Sequence, residues 1–237
     1  MSNTRIQAVR WNLIPRNPAD SVETPTPTPK EMHPLSAEEA RRLLDAAQGD
    51  RFDALYVLAV HTGMRRGELL GLKWDDVDLE NASVRVRRTL TRIDNGRRLA
   101  LGPPKNKKSR RTVRLTERAV EALRSHLERQ LAEIEALGDL YKDQGLVFTT
   151  EAGTLINPSN LRQRSLASLL KRAGLPQITF HDLRHTCASL LFQKNFHPKF
   201  VQELLGHASV AITLDTYSHM LPGMGGEAAD AMGEALG

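Results

Sequence analysis

The hydrophobic positions of the first third of the chain recur with a helical period. One such stretch starts at Ser36 and stops near Gly49, and a second stops at Gly63. Ser36 and Glu39, three residues apart, form a capping-box pattern that favours a helix start. A glycine after a helix readily takes positive φ, so we expect a sharp turn at Gly63 that presents Arg65 at the start of a further short helix.

The centre of the chain changes to the two-residue period of strands. Alternation over residues 84–90, 99–101 and 111–115 predicts three strands, and Asp94-Asn95-Gly96 is a turn sequence between the first two. Helical spacing then resumes with a long helix from Thr116, and further helices are predicted at about 158–173, 182–194, 198–205 and 209–219. The predicted fold class is therefore mainly α with a small three-stranded antiparallel sheet, an α+β arrangement.

Composition excludes several classes of protein. The chain has 237 residues, of which 40% are hydrophobic and 26% charged, as in ordinary globular proteins. No apolar run is long enough to span a membrane, and no signal-peptide pattern opens the chain. Cys187 is the single cysteine, so we expect no internal disulfide, a buried thiol and a cytosolic compartment.

Positive charge is concentrated in the predicted sheet. Residues 85–114 contain twelve arginines and lysines against one acid, Asp94. So one-sided a charge repels itself unless a polyanion neutralises it. We interpret the segment as a nucleic-acid-binding surface, with a merely solubilising surface as the alternative.

Four short motifs carry groups suited to chemistry at a phosphodiester. A tyrosine is a potential nucleophile, arginines match the non-bridging oxygens, and histidines move or donate protons. The motifs are His61-Thr62-Gly63-Met64-Arg65-Arg66-Gly67-Glu68-Leu69, His181-Asp182-Leu183-Arg184-His185, Leu204-Leu205-Gly206-His207 and Thr213-Leu214-Asp215-Thr216-Tyr217-Ser218-His219.

This set of motifs resembles the tyrosine recombinases of the phage-integrase family, over roughly residues 35–220 and in the family's order. The resemblance implies the fold of that family's catalytic domain and an enzyme that cleaves and rejoins DNA through a 3′-phosphotyrosyl intermediate. It implies no metal, no nucleotide and no other cofactor. Tyr217, ten residues after His207, would be the nucleophile.

The resemblance also assigns the other catalytic roles. Arg65 and Arg184 would clamp the phosphate, His181 would be a general acid or base near the tyrosine, and His207 would donate a hydrogen bond to the phosphate. Lys105 would protonate the leaving 5′-oxygen, with Lys107 and Lys108 as alternatives. The residues beside them are interpreted from their own positions. Glu68, one helical turn after Arg65, would orient it, Arg66 would face solvent, and His185 would be a helix histidine bonded internally.

Zinc is an alternative ligand for His181 and His185, which have the spacing of metal-binding helix pairs. The motif lacks the glutamate of zinc-protease helices, and Arg184 beside the pair would repel a dication, so we predict no metal site. The predicted DNA-binding residues of the charged segment are Arg85, Arg87, Lys107, Lys108, Arg110 and Arg111. The alternative functions are a type IB topoisomerase and a DNA-binding form without catalysis.

The resemblance divides the chain into four parts. Residues 1–20 would be the end of a truncated N-terminal core-binding domain, and 21–34, with alternating threonine and proline, a linker. Residues 35–220 would be the catalytic domain and 221–237 a tail helix. The expected partners are double-stranded DNA attachment sites and further copies of the chain, in a tetrameric synapse formed through the tail. A cytoplasmic protein encoded by a bacterium or phage is expected.

Overall fold

The structure is a computed structural model that describes residues 7–17, 32–104, 109–217 and 232–236. The chain divides into two compact units, residues 1–31 and 32–237. In the first unit, residues 7–10 form a helical turn, closed by a hydrogen bond from the Trp11 amide to the Gln7 carbonyl at 2.9 Å. The predicted linker lies almost entirely outside the described residues, and of the predicted tail only the helical residues 232–236 are described.

The second unit opens with three helices: α1 (Ala37–Ala47), α2 (Asp53–Thr62) and α3 (Arg66–Leu70). The predicted capping box is confirmed, because the Glu39 amide donates to Ser36 Oγ at 3.2 Å and the Ser36 amide donates to Glu39 Oε2 at 2.8 Å. Helix α2 is the centre of the core. Its residues 54–60 are all buried, and it packs against the long helix α4 (Glu117–Leu137) and against α7 (Phe180–Gln193).

The strands form two small antiparallel sheets, where the sequence predicted one. Strands β1 (Val77–Asp78), β2 (Ser83–Val86) and β5 (Arg111–Arg114) make a three-stranded sheet in the order β1-β2-β5, and β3 (Thr89–Ile93) pairs with β4 (Arg98–Gly102) in a two-stranded sheet. The predicted turn at residues 94–96 joins β3 to β4.

A break after β2 separates the two sheets and corrects the predicted single strand over residues 84–90. The neighbouring residues Arg87 and Arg88 both direct their guanidinium groups to the buried carboxylate of Asp76. Successive side chains of a strand point to opposite faces, so two that reach one carboxylate interrupt the strand. The third strand of the sheet is instead β1, which is too short to show alternation in the sequence.

The remaining helices lie close to their predicted positions. Helix α5 (Pro158–Asn160) continues through a π-helical stretch, Leu161–Leu166, into α6 (Ala167–Arg172). Helices α8 (Pro198–Leu205) and α9 (Val210–Tyr217) follow α7, and short 3₁₀ turns occupy Trp74–Asp76, Asp94–Gly96 and Gly138–Leu140. In the described part of the chain, no helix is both long and apolar enough to cross a membrane.

A second, smaller hydrophobic cluster holds the last helix in place. The ring of Tyr217, at the end of α9, packs with Ala188 and Phe192 of α7 and with Val201 and Leu205 of α8. Cys187 is buried beside this cluster, as predicted, and burial raises the pKa of its thiol to about 12. The predicted nucleophile is therefore fixed from inside the fold, by packing between three helices.

Candidate active site

The turn at Gly63 delivers Arg65 to the N-terminus of α3. Gly63 has φ 60° and ψ 19°, and Arg65 is in the extended conformation that precedes a helix. A Cβ atom at residue 63 would lie 2.5 Å from Cδ2 of Leu205, so this turn needs glycine for its packing against α8 as well as for its φ. The predicted sharp turn and the position of Arg65 are confirmed.

Glu68 joins Arg65 to a second arginine, Arg111. Glu68 is 3% exposed. Its Oε1 accepts a hydrogen bond from Arg65 Nη1 at 2.8 Å, and its Oε2 accepts from Arg111 Nη2 and from the Arg65 amide, both at 3.0 Å. Burial alone would raise the pKa of Glu68, but the charge and hydrogen bond of Arg111 outweigh it and the pKa is lowered. An ionised Glu68 therefore orients two guanidinium groups at once.

Both of these arginines also reach the end of α8. Arg65 Nη2 donates to the carbonyl of Gly206 at 3.3 Å, and Arg111 Nε donates to the carbonyl of Leu204 at 2.6 Å. Gly206 ends the helix at φ 66°, and a Cβ there would lie 3.0 Å from Arg111 Nη1. Arg111, predicted to bind DNA on the sheet surface, thus turns inward and holds the loop before His207.

Arg184, on α7, is the most deeply buried charge near the site. It is 2% exposed, and its Nη1 donates to the carbonyl of Gly63 at 2.7 Å. Among the described residues its Nη2 finds no hydrogen-bond partner. Burial, and then the charge of Arg65, lower the pKa of Arg184 to about 9. An unpaired buried donor costs about 1–3 kcal/mol, and a bound anion would satisfy it.

Tyr217 is held by His185, where the sequence predicted His181 as its neighbour. The Tyr217 hydroxyl lies 2.7 Å from His185 Nδ1, and Tyr217 is 1% exposed. Burial raises the pKa of Tyr217 to about 12, whereas burial lowers the pKa of His185 to about 4. Proton transfer from the phenol to this imidazole is therefore strongly unfavourable. In this arrangement His185 positions the hydroxyl and does not ionise it.

His181 stands one ring further out. Its ring meets that of His185 edge-on, with centroids 4.6 Å apart, and it stays exposed to solvent. Desolvation by its neighbours, and then the charges of Arg184 and Arg65, lower its pKa. His181 is therefore neutral at neutral pH and able to accept a proton.

His207 is oriented by a buried threonine. Its Nδ1 lies 2.8 Å from Oγ1 of Thr213, and its carbonyl accepts from Gln202 Nε2 at 2.6 Å. Burial, and then the charge of Arg184, lower the pKa of His207 to about 4, so the ring is neutral. When Nδ1 accepts the Thr213 proton, Nε2 carries the ring hydrogen and can donate it to an anion.

The structure describes some of the predicted DNA-binding residues and not others. Lys105, Lys107 and Lys108 lie outside the described residues. Arg85, Arg87 and Arg110 are exposed along a cleft on the three-stranded sheet. Arg87 Nε lies 3.4 Å from the Asp76 carboxylate, so part of its charge is neutralised.

Three side chains differ from their sequence interpretation. Arg66, expected to face solvent, is half-buried, and its Nη1 donates to the carbonyl of Pro158 at 3.2 Å. His185 has an internal partner, as predicted, but that partner is the candidate nucleophile. Arg111 lines the same cleft as Arg85, Arg87 and Arg110, and it also has partners inside the site, which no sequence signal indicated.

The chain is similar to known proteins over nearly all of its length. The family model described as "Phage integrase family" matches residues 34–223. The tyrosine recombinase XerC-like protein of Caldanaerobacter subterraneus is 39% identical over 220 residues, which are 89% of this chain and 54% of that protein. The ICEBs1 integrase of Bacillus subtilis is 29% identical over 97% of this chain and 62% of its own length. The chain thus spans only a little over half the length of these relatives.

Solved structures share the fold. The crystal structure of XerA recombinase is 31% identical, with a TM-score of 0.63 over 84% of this chain and 68% of that one. The Tn1549 transposon integrase, solved in complex with a circular intermediate DNA, has a TM-score of 0.70 at 22% identity, over 98% of this chain and 75% of that one. The predicted fold class is confirmed.

Removal of the Glu68 charge should destabilise the protein. Glu68→Gln leaves two guanidinium groups around a neutral amide, and breaking a buried ion pair costs about 3 kcal/mol. Urea unfolding at pH 7 should show this loss. Because the folded-state pKa of Glu68 is lowered, the stability that its ionisation adds is present at neutral pH and disappears as pH falls below its ordinary 4.5.

The matched control is Glu38→Gln, which removes an exposed ion pair with Arg41. That variant should stay within about 0.5 kcal/mol of the parent protein. Equal unfolding midpoints for the two variants would mean that Glu68 does not hold the site together.

Proposed function

The chain belongs to the phage integrase family, and on that premise we propose that it is a site-specific DNA recombinase that cleaves and rejoins DNA strands through Tyr217. One observation carries the proposal. Arg65, Arg184 and His207 come from distant parts of the sequence, yet hydrogen bonds join the turns that carry them, and Arg184 is close enough to Tyr217 for its charge to act on the phenol. Arg65 is bonded to the carbonyl of Gly206, next to His207, and Arg184 to the carbonyl of Gly63.

The proposed reaction is a transesterification. The Tyr217 oxygen attacks phosphorus, the bond from phosphorus to the 5′-oxygen breaks, and a 3′-phosphotyrosyl link forms. The 5′-oxygen leaves with a proton from a general acid. The phosphotyrosyl link retains the energy of the phosphodiester, so attack by another 5′-hydroxyl rejoins the strand without a nucleotide, a metal or any other cofactor.

Arg65 and Arg184 supply the charge that the transition state needs. We propose that the unpaired Nη2 of Arg184 and the guanidinium of Arg65 bind the two non-bridging oxygens, while Nε2 of His207 donates a third hydrogen bond. Such preorganised donors stabilise charge most effectively where water is excluded. Loss of one of them typically costs about 2.7–4 kcal/mol of barrier height.

Tyr217 must leave His185 before it reacts. Its hydroxyl is buried and its pKa is raised, so the described arrangement is a resting state. We propose that a phosphate bound by the arginines draws the phenol out and favours its ionisation. His181, at the exposed edge of the histidine pair, is then the group available to take the proton.

Several finer assignments belong to the same proposal. Lys105 is the proposed general acid, with Lys107 and Lys108 as alternatives. Arg85, Arg87 and Arg110, with those lysines, would contact the backbone of double-stranded attachment-site DNA, and Arg111 would assist by fixing the loop before His207. The relatives named above are bacterial, and we place this activity in the cytoplasm of a bacterium, in a protein encoded by the bacterium or by a phage.

The two alternatives separate from the proposal by different criteria. The relatives are named as recombinases and integrases, which does not favour a type IB topoisomerase. A DNA-binding form without catalysis would bind the same duplex but form no covalent adduct. Adduct formation is therefore the deciding measurement.

Tyr217→Phe should abolish the covalent adduct with a suicide duplex, seen as a shifted band on a denaturing gel. DNA affinity should change by less than about 1 kcal/mol, because one hydroxyl adds little to a large polyanionic interface. Tyr141→Phe, at another buried tyrosine, is the control and should still form adduct. EDTA should not slow the reaction. If Tyr217→Phe still forms the adduct, the proposed mechanism is contradicted. It is also contradicted if the parent protein loses the adduct in EDTA and regains it with magnesium.

Lys105→Ala should block cleavage of an ordinary substrate, since the 5′-oxygen would have to leave without a proton. A 5′-bridging phosphorothiolate should restore cleavage, because a thiolate leaves readily on its own. The same comparison with Lys107→Ala and Lys108→Ala is the control. Rescue confined to either of those variants would move the general acid to that residue.

The C-terminal tail is proposed to link protomers into a tetrameric synapse. Only residues 232–236 of it are described, as a helix too short to be stable alone. Deletion of residues 224–237 should leave single-site DNA binding intact and reduce synapsis and cleavage of paired sites, measured by native gels and by adduct yield. Unchanged recombination by the shortened chain would show that the tail docks on its own domain or has no role.

A further inference from the structure

A second group of arginines lies beside the candidate active site. Arg66 follows the catalytic Arg65, Arg92 is in β3, and Arg162 is in the π-helical stretch after α5. Arg66 is bonded to the Pro158 carbonyl, and Arg92 Nη2 donates to Asn157 Oδ1 at 2.8 Å and to Ser159 Oγ at 2.9 Å. The turn at residues 157–159 thus anchors two of the three guanidinium groups close to each other.

No acidic side chain balances this cluster in the part of the chain that the structure describes. None of the ion pairs within 4.0 Å there includes Arg66, Arg92 or Arg162. Their repulsion is felt at Arg66, whose pKa is lowered by burial and then by the charges of Arg162 and Arg92. A folded protein that places three like charges together gains stability when an anion joins them.

A cavity connects this cluster to the catalytic residues. Its volume is about 260 Å³, and Arg66 and Arg162 line it together with His181 and Arg184. Arg184 is 2% exposed and has the Nη2 atom without a described partner. Drug-sized ligands usually fill about 300–1,000 Å³, so this smaller space suits one charged group better than a nucleotide.

We propose that Arg66 and Arg162, supported by Arg92, bind a second phosphate of the DNA strand, next to the one that Tyr217 attacks. This rests on the proposed function. Phosphates succeed one another about every 3.4 Å of axis along one strand, so a strand held at Arg65 and Arg184 carries neighbouring phosphates past the cavity. Arginine forks match phosphate oxygens in pairs and so fix orientation as well as charge.

The role of this second phosphate-binding site is to position the DNA strand. A phosphate held at Arg66 and Arg162 restricts rotation of the reacting phosphate about its sugar linkages, which favours in-line attack by Tyr217. Arg66 and Arg162 are thus binding and positioning residues, and neither takes part in bond making. The π-helix supports this placement, since such one-turn widenings often occur at functional sites.

The test is a double-mutant cycle, in which one change is a substitution in the protein and the other is a modification of the DNA. A neutral methylphosphonate replaces one phosphate at a time, at each position flanking the cleaved bond, and Arg162→Gln is compared with the parent protein for the rate of adduct formation. Each single change should slow cleavage about 10- to 100-fold at one flanking position, because a charge-assisted hydrogen bond is lost. At that position the two changes together should cost no more than either alone.

Two further variants control the result. Arg164→Gln removes an exposed arginine of the same π-helical stretch that does not line the cavity, and it should leave the rate and every methylphosphonate effect unchanged. Arg162→Lys keeps the charge but not the fork and should recover part of the rate. Thermal unfolding checks that all three variants are folded.

The outcomes separate this proposal from the proposed function. If the effects of Arg162→Gln and of methylphosphonate on the rate of adduct formation multiply at every position, the two changes are independent and the second phosphate-binding site does not exist. If no protein forms adduct, the same cycle is read as DNA affinity in the Tyr217→Phe background. If the two changes are coupled in their effect on DNA affinity, the second phosphate-binding site exists although the chain is not an active enzyme. If they are not coupled, the proposal of that site is wrong as well.

Discussion

The bridge from Glu68 to Arg65 and Arg111 is the interaction on which the site depends. Positive groups repel one another, and Arg184 is also buried within range of both arginines. One carboxylate and the carbonyls that end α2 and α8 hold these cations together. The compensation is incomplete, since one guanidinium nitrogen of Arg184 has no hydrogen-bond partner among the described residues. This free donor is the observation that supports the proposed binding of an anion.

The same positive field decides the state of the histidines. Burial and the charge of Arg184 depress the pKa of His181 and of His207, and His185 is affected in the same direction. Neutral rings can accept or donate one proton each, whereas imidazolium ions could only donate. The arginines that are proposed to bind the phosphate thus also keep the histidines in their neutral state. Entry of a negatively charged strand would raise these pKa values again and link proton uptake to DNA binding.

Local features could be predicted from the sequence, and long-range pairings could not. The capping box at Ser36 and the turn at Gly63 depend on neighbouring residues and were found where expected. The partner of Tyr217 is 32 residues away and was not identified, although His185 stood in a recognised motif. In the sequence, Arg111 resembles the other basic residues of its segment. Only its hydrogen bond to Glu68, 43 residues away, distinguishes it. The division into two sheets depends on Asp76, which pairs with the successive residues Arg87 and Arg88. Such a pairing does not change the hydrophobic periodicity of the sequence, so it could not be predicted.

The burial of Tyr217 has a consequence for how the protein's chemistry can be watched. The chain has three tyrosines, and all are buried: Tyr56 at 0%, Tyr141 at 7% and Tyr217 at 1% exposure. Tyr56 and Tyr141 sit in the main core and bond to its side chains, so they stay in place as long as the domain is folded. Tyr217 packs between α7, α8 and α9, and the proposed reaction requires its hydroxyl to leave this position. Under the proposed mechanism, nitration of a single tyrosine, or a change in the ultraviolet absorbance of the folded protein, would therefore report the release of Tyr217 in real time.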